Sequence, residues 1–426
     1  MNALGGTGAF ALVLLVGLLL VLRQPLVIIL LGAISVAQLI WGQGRLDYVI
    51  EDMWVSLDKE IILAIPMFLL CGGVMTRGST ARRLIRIAAS VTSHIHGGLA
   101  LACILASAVF AAISGSSIVT MLAVGGVMYP ALKDAGYTNR IALGTVLAGG
   151  SLGVVLPPSI PLIIYGLITE TSIVDLFVAG LLPGLLLVVL FGAYVVWMNR
   201  AIPVKRFDFA ELVEALRTGI LALLMPILLL GGIYSGYFSA TESAGVALFY
   251  AMIVEVFVYK EMKLGEYKHV VIDVAKLVGA LFPLLAAALS LSMLLTLHRV
   301  PDQMVALMQS WFHGPATFMV AVNILLVVVS CLMTTTEALL ILGPLLAPVA
   351  AAYGYDKVFF GIIMIHNLEI GFLLPPLGLN LLVAMTAFKQ SMTELTRAAL
   401  PFVFLMILGL VIIVAFPQLT MVFIKH

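Results

Sequence analysis

The chain has 426 residues, 63% hydrophobic and 10% charged, with 22 Lys and Arg against 21 Asp and Glu and a formal net charge of +1. A soluble domain carries about 25% charged residues, so this composition excludes a soluble globular protein, and its hydrophobicity excludes disorder. Apolar residues come in long runs rather than alternating, which excludes a transmembrane β-barrel, and no polybasic stripe suggests nucleic acid.

At roughly 20 apolar residues per crossing, the chain has room for about a dozen membrane helices. No Lys or Arg precedes Arg23 and no A-x-A site follows, so the start does not read as a cleaved signal peptide. Residues 8–22 and 26–41 read as retained membrane segments broken at Arg23-Gln24-Pro25, either as a hairpin or as one interrupted span. Further apolar spans run over 61–76, 98–113, 118–132, 141–168, 173–198, 219–238, 240–259, 277–297, 315–333, 338–352, 358–388 and 398–424. Residues 79–96, 205–217 and 260–276 mix charged and apolar positions and are expected to lie in the interface plane. Cys71, Cys103 and Cys331 sit inside apolar runs without CxxC spacing, which argues for packing rather than disulfides or zinc.

Cytoplasmic loops collect Lys and Arg. Segments 77–98, 133–140, 199–218, 259–276 and 389–397 hold 16 of the 22, and all five are placed in the cytoplasm. The turns near 169–172, 239 and 298–314 then face outward. Residues 98–132, between two cytoplasmic segments, are apolar but interrupted at Ser114-Gly115-Ser116-Ser117. Two full crossings would also return the chain to its starting side, so charge alone does not decide. Short arms and a polar tip favour a re-entrant hairpin, tolerable at membrane depth only when buried in protein or lining a cavity.

The second half repeats the arrangement, with two short arms over 315–352 around Thr334-Thr335-Thr336-Glu337. At an offset of 218 residues, Pro130 pairs with Pro348, Gly136-Tyr137 with Gly354-Tyr355, Gly153 with Gly371, and Leu156-Pro157-Pro158 with Leu374-Pro375-Pro376. Five crossings separate the two hairpins, so the second copy is inverted. Inverted repeats with interrupted helices are the signature of a secondary transporter.

Each hairpin is followed by an apolar span holding Pro-Pro. Two adjacent prolines remove two backbone donors and clash with the preceding turn, and the residue before a proline avoids the α region. The helix is expected to unwind and free carbonyls around 153–156 and 371–374. Such carbonyls coordinate sodium in secondary carriers, while half-helix N-termini face anionic substrates. Two cation sites are expected, one per repeat, with an anionic substrate between the tips. The substrate candidates are Ser116, Ser117, Ser159, Thr335, Thr336 and Asn380; for Asn380 simple packing is an equal alternative. A plain proline kink, with hydroxyls bonded to backbone, is the competing explanation; two matched copies weigh against it.

Other polar residues carry weaker signals. Gly149–Gly153 fits G-x-S-x-G with Ser151 as nucleophile, but that motif needs a strand–turn–helix context; its glycines better suit close helix approach. Glu337 and Glu369 are intramembrane carboxylates and functional suspects by default, with internal pairing as an equal alternative; His366 reads first as a hydrogen-bonded core histidine, with a proton relay as the alternative. Glu242 and Glu255 lie near span ends and are less suggestive. No G-x-x-x-x-G-K-[ST] occurs, so ATP does not drive this chain directly, and no H-E-x-x-H suggests a zinc protease.

The stretches Ile113–Ser117, Gly136-Tyr137, Gly150–Ser159, Thr334–Ile341 and Asn367–Leu382 resemble the large membrane subunit of tripartite ATP-independent periplasmic (TRAP) transporters, and the likeness runs over nearly the whole chain. Many members carry an acidic residue and a proline where this chain has Thr334 and Glu337. The resemblance implies an all-α polytopic, inverted-repeat elevator fold in the bacterial inner membrane, with two re-entrant hairpins and two Pro-Pro-interrupted helices. It implies sodium coupling, a periplasmic binding protein that delivers the substrate, and a small membrane subunit of about four helices. Its substrates are mostly organic acids, including dicarboxylates, sugar acids and some sulfonates. By motif, sodium ligands would come from Ser114, Ser116 and Ser117 with Gly153, Leu156 and Pro158, and from Thr334, Thr335 and Thr336 with Gly371, Leu374 and Pro376. The implied division is scaffold over 1–76, 169–297 and 391–426, and transport domain over 77–168 and 298–390. A stand-alone anion carrier of the same architecture and, from a different class, an intramembrane serine hydrolase are the alternatives.

Overall fold

The computed structural model describes residues 24–41, 47–204 and 206–424, with a few residues between 14 and 22. The expected segment over 8–22 falls mostly outside them. Every regular element among the described residues is helical. The first half comprises α1 (Leu26–Trp41), α2 (Asp47–Leu57), α3 (Ala64–Arg77), α4 (Thr80–Thr92), α5 (Gly98–Ser114), α6 (Ser117–Asp134), α7 (Asn139–Val155), α8 (Ile160–Thr169) and α9 (Ile173–Met198). Then come α10 (Phe209–Tyr234), α11 (Ala240–Met252), a π-helical turn (Ile253–Val258) and α12 (Leu264–Leu297). The second half adds α13 (Val300–Trp311), α14 (Pro315–Ser330), α15 (Thr335–Ala352), α16 (Lys357–Phe372), α17 (Leu379–Phe388) and α18 (Met392–Ala415). Among the described residues, eight helical stretches are long and apolar enough to cross a membrane, without counting bent pairs.

The repeat is realised in the backbone. Ser117 to Thr335 and Asn139 to Lys357 are both helix starts 218 residues apart. Both copies run hairpin, helix, break, half-helix, long helix. Gly136 and Gly354 both adopt φ of +86° after the hairpin, a left-handed conformation that favours glycine. Thr138 and Asp356 then cap α7 and α16 through their side-chain oxygens, satisfying N–H groups that the first turn leaves unpaired.

Proline count alone does not decide where helices break. Pro130, Pro183, Pro226, Pro283 and Pro401 each sit inside a continuous helix. One missing donor and a bend are tolerable when neighbouring helices re-satisfy the backbone. At Pro157-Pro158 and Pro375-Pro376, both cis, two consecutive donors are missing and the helix stops.

The packing interlocks the repeats. α7 lies against α5 and α6, and α16 against α14 and α15. Beyond each break the chain crosses to the other copy: α8 packs on α15 and α17 on α6. The α7–α8 stretch is completely buried in its most apolar window, and so is α16 from Val358 to Phe372. The repeats therefore meet at the centre of the bundle, α3, α9 and α18 pack around them, and α11 packs on α3.

Three expectations need correction. Residues 298–314 are not a simple turn but contain α13, which follows α12 as α4 follows α3. Residues 205–217 and 260–276 do not form separate interfacial segments, since most of each is continuous with the long helices α10 and α12. Of the three amphipathic stretches only 79–96 forms a separate helix, α4, bounded by Gly78 and Gly97. From Phe209 and from Leu264 onward nothing breaks the hydrogen-bond ladder, so each helix propagates through the polar residues into the apolar run.

The basic segments are tied to one another. Arg77 pairs with Asp273 at 2.8 Å, Arg82 with Glu261 at 3.2 Å and Arg86 with Glu211 at 2.8 Å. Arg140 donates to the Arg397 carbonyl at 3.0 Å. These contacts join 77–98 to 199–218 and 259–276, and 133–140 to 389–397.

Candidate functional site

Each hairpin tip is seated on its own broken helix. In the first copy α5 ends at Ser114, Gly115 turns with φ of +59°, and Ser116 is extended before α6 starts at Ser117. The Gly115 carbonyl accepts from the Ile160 amide at 3.2 Å, just past the break. A Cβ on Gly153 would lie 2.4 Å from the Ser116 carbonyl oxygen, so only glycine admits the tip here. In the second copy the Cys331 carbonyl accepts from the Leu377 amide at 3.2 Å. A Cβ on Gly371 would fall 1.8 Å from Ser330 Oγ. The matched glycines are thus the seats of the two tips.

The side chains fill different roles. Ser114 is buried and its Oγ bonds Thr120 Oγ1 at 2.7 Å. Ser116 is half-buried, and its backbone carbonyl faces Gly153. Ser117 Oγ donates to Asn380 Oδ1 at 3.1 Å, and Asn380 Nδ2 donates to Glu369 Oε1 at 3.1 Å. This chain of two hydrogen bonds joins the first tip to both halves of the second broken helix. Thr334 caps α15 together with Glu337: Thr334 N–H donates to Glu337 Oε2 at 2.8 Å and Glu337 N–H to Thr334 Oγ1 at 3.3 Å. Glu337 therefore has a structural task at the second tip. Thr335 is buried and its Oγ1 has no protein partner among the described residues, while Thr336 is half-buried.

The breaks differ. Leu156, Pro157, Pro158 and Ser159 are all buried, whereas Pro375, Pro376 and Leu377 are exposed. Ser159 caps α8 by accepting from the Leu162 amide at 3.3 Å. Pro157 and Pro158 offer no N–H, so the carbonyls of Gly153 and Val154 lose their regular helical donors. At the second break the Gly371 carbonyl accepts from Leu374 N–H at 3.1 Å and the Leu374 carbonyl from Gly378 N–H at 3.0 Å. Those two oxygens are not wholly free, and each keeps one further lone pair. The second break is a tight turn rather than an open unwound stretch.

Several polar residues are resolved into plain roles. Ser151 Oγ donates back to the Ala148 carbonyl at 2.8 Å within α7, which is no nucleophile elbow. His366 Nε2 lies 3.0 Å from the Met406 carbonyl, and Asn367 Nδ2 donates to Asn323 Oδ1. Glu242 forms a capping box with Ser239. Glu255 matters more than its position near a span end suggested. It is fully buried, and Oε2 accepts from Ser79 N–H at 2.9 Å while Oε1 accepts from Thr80 N–H at 2.9 Å, with both hydroxyls also donating. It holds the N-terminus of α4 on the π-helical turn, and the Arg83 guanidinium stacks over Tyr259 at 3.7 Å. Thr120, Asn323 and the Glu255 cap escaped sequence reasoning. Thr120 lay one turn past the tip and was findable; the partners of Asn323 and Glu255 are 44 and at least 175 residues away.

A cavity of about 430 Å³ lined by Phe312, His313, Pro315 and Tyr353 lies at the base of the second hairpin, at the opposite end from its tip. It belongs to neither break.

Comparison with known proteins agrees with this architecture. The family model "Tripartite ATP-independent periplasmic transporter, DctM component" matches residues 12–419. The C4-dicarboxylate TRAP transporter large permease protein DctM of Pseudomonas aeruginosa is 36% identical over 92% of each chain. The isethionate TRAP transporter permease protein DctMQ of Oleidesulfovibrio alaskensis is 34% identical, over 98% of this chain and 65% of that one. The ectoine TRAP transporter large permease protein TeaC of Halomonas elongata is 31% identical over 96% of each. The crystal structure of the Alcanivorax borkumensis YdaH transporter shares the fold, with a TM-score of 0.62 at 14% identity, over 89% of this chain and 90% of that one. A helical, multi-span chain with two matched hairpin-and-break units, matched over residues 12–419 by the family model, belongs to the DctM component family of tripartite ATP-independent periplasmic transporters and is a membrane permease subunit, not an enzyme.

Proposed function

We propose that this chain is the sodium-coupled translocating subunit for a small organic anion, handed over by a periplasmic binding protein at the bacterial inner membrane. The observation that carries this reading is the convergence of two hairpin tips on two broken helices, joined through Ser117 and Asn380. Broken helices meeting in inverted copies build midplane sites for a substrate and its coupling ions. Sodium would be held at the first tip by Ser114, Ser116 and Ser117 with the carbonyls of Gly153, Leu156 and Pro158. The second site would use Thr334, Thr335 and Thr336 with Gly371, Leu374 and Pro376. The substrate would face Ser116, Ser117, Ser159, Thr335, Thr336 and Asn380. No Lys or Arg lies in either tip, so anion recognition would rest on hydroxyls and on the N–H groups that open α6 and α15.

Similar proteins are named for C4-dicarboxylates, isethionate, ectoine and 2,3-diketo-L-gulonate. A compact polar molecule with a carboxylate or sulfonate fits that set. Relatives are named large permease proteins, which supports a small membrane subunit as the partner. The crossed packing of α8 on α15 and α17 on α6 supports 98–168 and 298–390 moving as one body, with 77–97, tied to 199–218 and 259–276, as the arm that joins it to the scaffold. That body would travel like an elevator against a scaffold of 1–76, 169–297 and 391–426.

The test is uptake in proteoliposomes holding the chain, its small partner and the binding protein under an inward sodium gradient. Uptake that needs sodium and binding protein, and falls in Ser117→Ala and Thr336→Ala, is the expected outcome. Uptake indifferent to sodium would remove the proposed cation sites.

A further inference from the structure

Glu369 is fully buried in α16. Its Oε1 accepts from Asn380, but no protein donor reaches Oε2 among the described residues. None of the ion pairs among them involves Glu369. His366, one turn earlier on the same helix, directs Nε2 at the Met406 carbonyl instead. An intramembrane carboxylate without a counter-charge is costly, and such groups persist where they bind something.

The repeat shows that the carboxylate is not required by the fold. At the offset of 218, Glu369 corresponds to Ser151 and Asn380 to Leu162. Ser151 satisfies itself on the Ala148 carbonyl, and Leu162 is buried and apolar. The same backbone in the first copy thus needs neither an acid nor an amide. The second copy adds both, joins them, and extends the chain to the first tip through Ser117 Oγ.

We propose that Glu369 supplies the anionic ligand of a further small-cation site beside the first tip, with Asn380 and Ser117 as its neutral oxygen partners; Ser117 then bridges this site and the one at the first tip. Carboxylate, amide and hydroxyl oxygens suit a hard monovalent ion such as sodium. The site spans both repeats, so its occupancy reports the first tip to the second broken helix. A cation there also neutralises the buried Glu369 carboxylate before the body moves through the membrane. The inference rests on the sodium-coupled carrier reading.

The test uses the full chain in lipid nanodiscs and sodium-22 as probe. The wild type should show one sodium component that Glu369→Gln weakens at least tenfold, with Ser117→Ala and Asn380→Ala weakening it less. Glu369→Gln should keep the sodium-free melting temperature and lose part of the sodium-induced rise. Infrared difference spectra of the wild type, sodium chloride against choline chloride, should contain a carboxylate band absent from Glu369→Gln. Equal sodium binding by Glu369→Gln, or a carboxyl band that ignores sodium, would overturn this inference and leave the carrier reading standing. A wild type that binds no sodium would overturn both.

Discussion

Replacing Gly153 by alanine should unseat the first hairpin tip. A Cβ at that position would stand 2.4 Å from the Ser116 carbonyl oxygen and 2.7 Å from Thr120 Oγ1, and the nearer atom is backbone. Ordinary contact begins near 3.4 Å, so the tip must withdraw by about 1 Å to relieve the clash. The Ser117–Asn380 bond, now 3.1 Å, would then stretch to about 4 Å, beyond hydrogen-bond range. Overpacking costs about 1–3 kcal/mol and the lost bond about 0.5–1.5 kcal/mol. Better helix propensity returns about 0.5–1 kcal/mol, which leaves a net loss of about 0.5–4 kcal/mol. Gly126→Ala is the control, because Gly126 is exposed on α6 and a Cβ there meets nothing within 4 Å. It should gain about 0.5–1 kcal/mol. Thermal unfolding in nanodiscs should move in opposite directions for the two variants, and the initial uptake rate of Gly153→Ala should fall because the tip no longer seats on the broken helix. A Gly153→Ala protein that melts at or above the wild type and transports at its rate would refute the seating of the tip on the broken helix.

Ser117→Ala and Asn380→Ala should be non-additive: a double-mutant cycle on melting is expected to give a coupling of about 0.5–1.5 kcal/mol, and strict additivity would deny the bond between the repeats. Glu255→Ala should lose about 1–3 kcal/mol, since Ser79 and Thr80 would keep buried N–H groups without an acceptor; limited proteolysis should show new cleavage near Gly78, and unchanged protection would contradict the anchoring role. Ser151→Ala should change neither melting nor uptake measurably, because Ser151 Oγ bonds only its own helix; labelling of Ser151 by a serine-reactive phosphonate would revive the hydrolase alternative. Cys331, half-buried at the second tip, should react with a maleimide while the buried Cys71 and Cys103 do not; equal reactivity of all three would show that the bundle is looser than its packing.

Local chemistry explains what was legible beforehand. Two consecutive missing N–H groups stop a helix wherever they occur, so Pro157-Pro158 and Pro375-Pro376 marked the breaks without knowledge of their neighbours. The tips were marked by Ser114–Ser117 and Thr334–Glu337, short polar runs between apolar arms. Glu337 was ambiguous because a carboxylate three residues after a threonine reads equally as a ligand or as the far half of a capping box. The structure makes it the latter. The extent of α10 and α12 was misjudged because a polar face ends an apolar run but not a hydrogen-bond ladder. Residues 300–311 were missed as a helix because Pro301, Asp302 and Gln303 at their start read as a turn, although Met304, Val305 and Met308 pack partly buried against the core.

The sequence by itself determined the membrane class, the repeat, the positions of the hairpins and breaks, and the family they resemble. Each depends on residues close together in the chain, or on comparing two stretches at a fixed offset. Only the tertiary structure decided which copy each half-helix packs against, that Gly153 and Gly371 are seats for the tips, and that Ser117, Asn380 and Glu369 form one line. It alone showed that Glu255 caps α4. Those facts rest on side chains 11 to 263 residues apart. A sequence pattern records which way a helix faces, but the partner it faces is set by how the whole bundle closes.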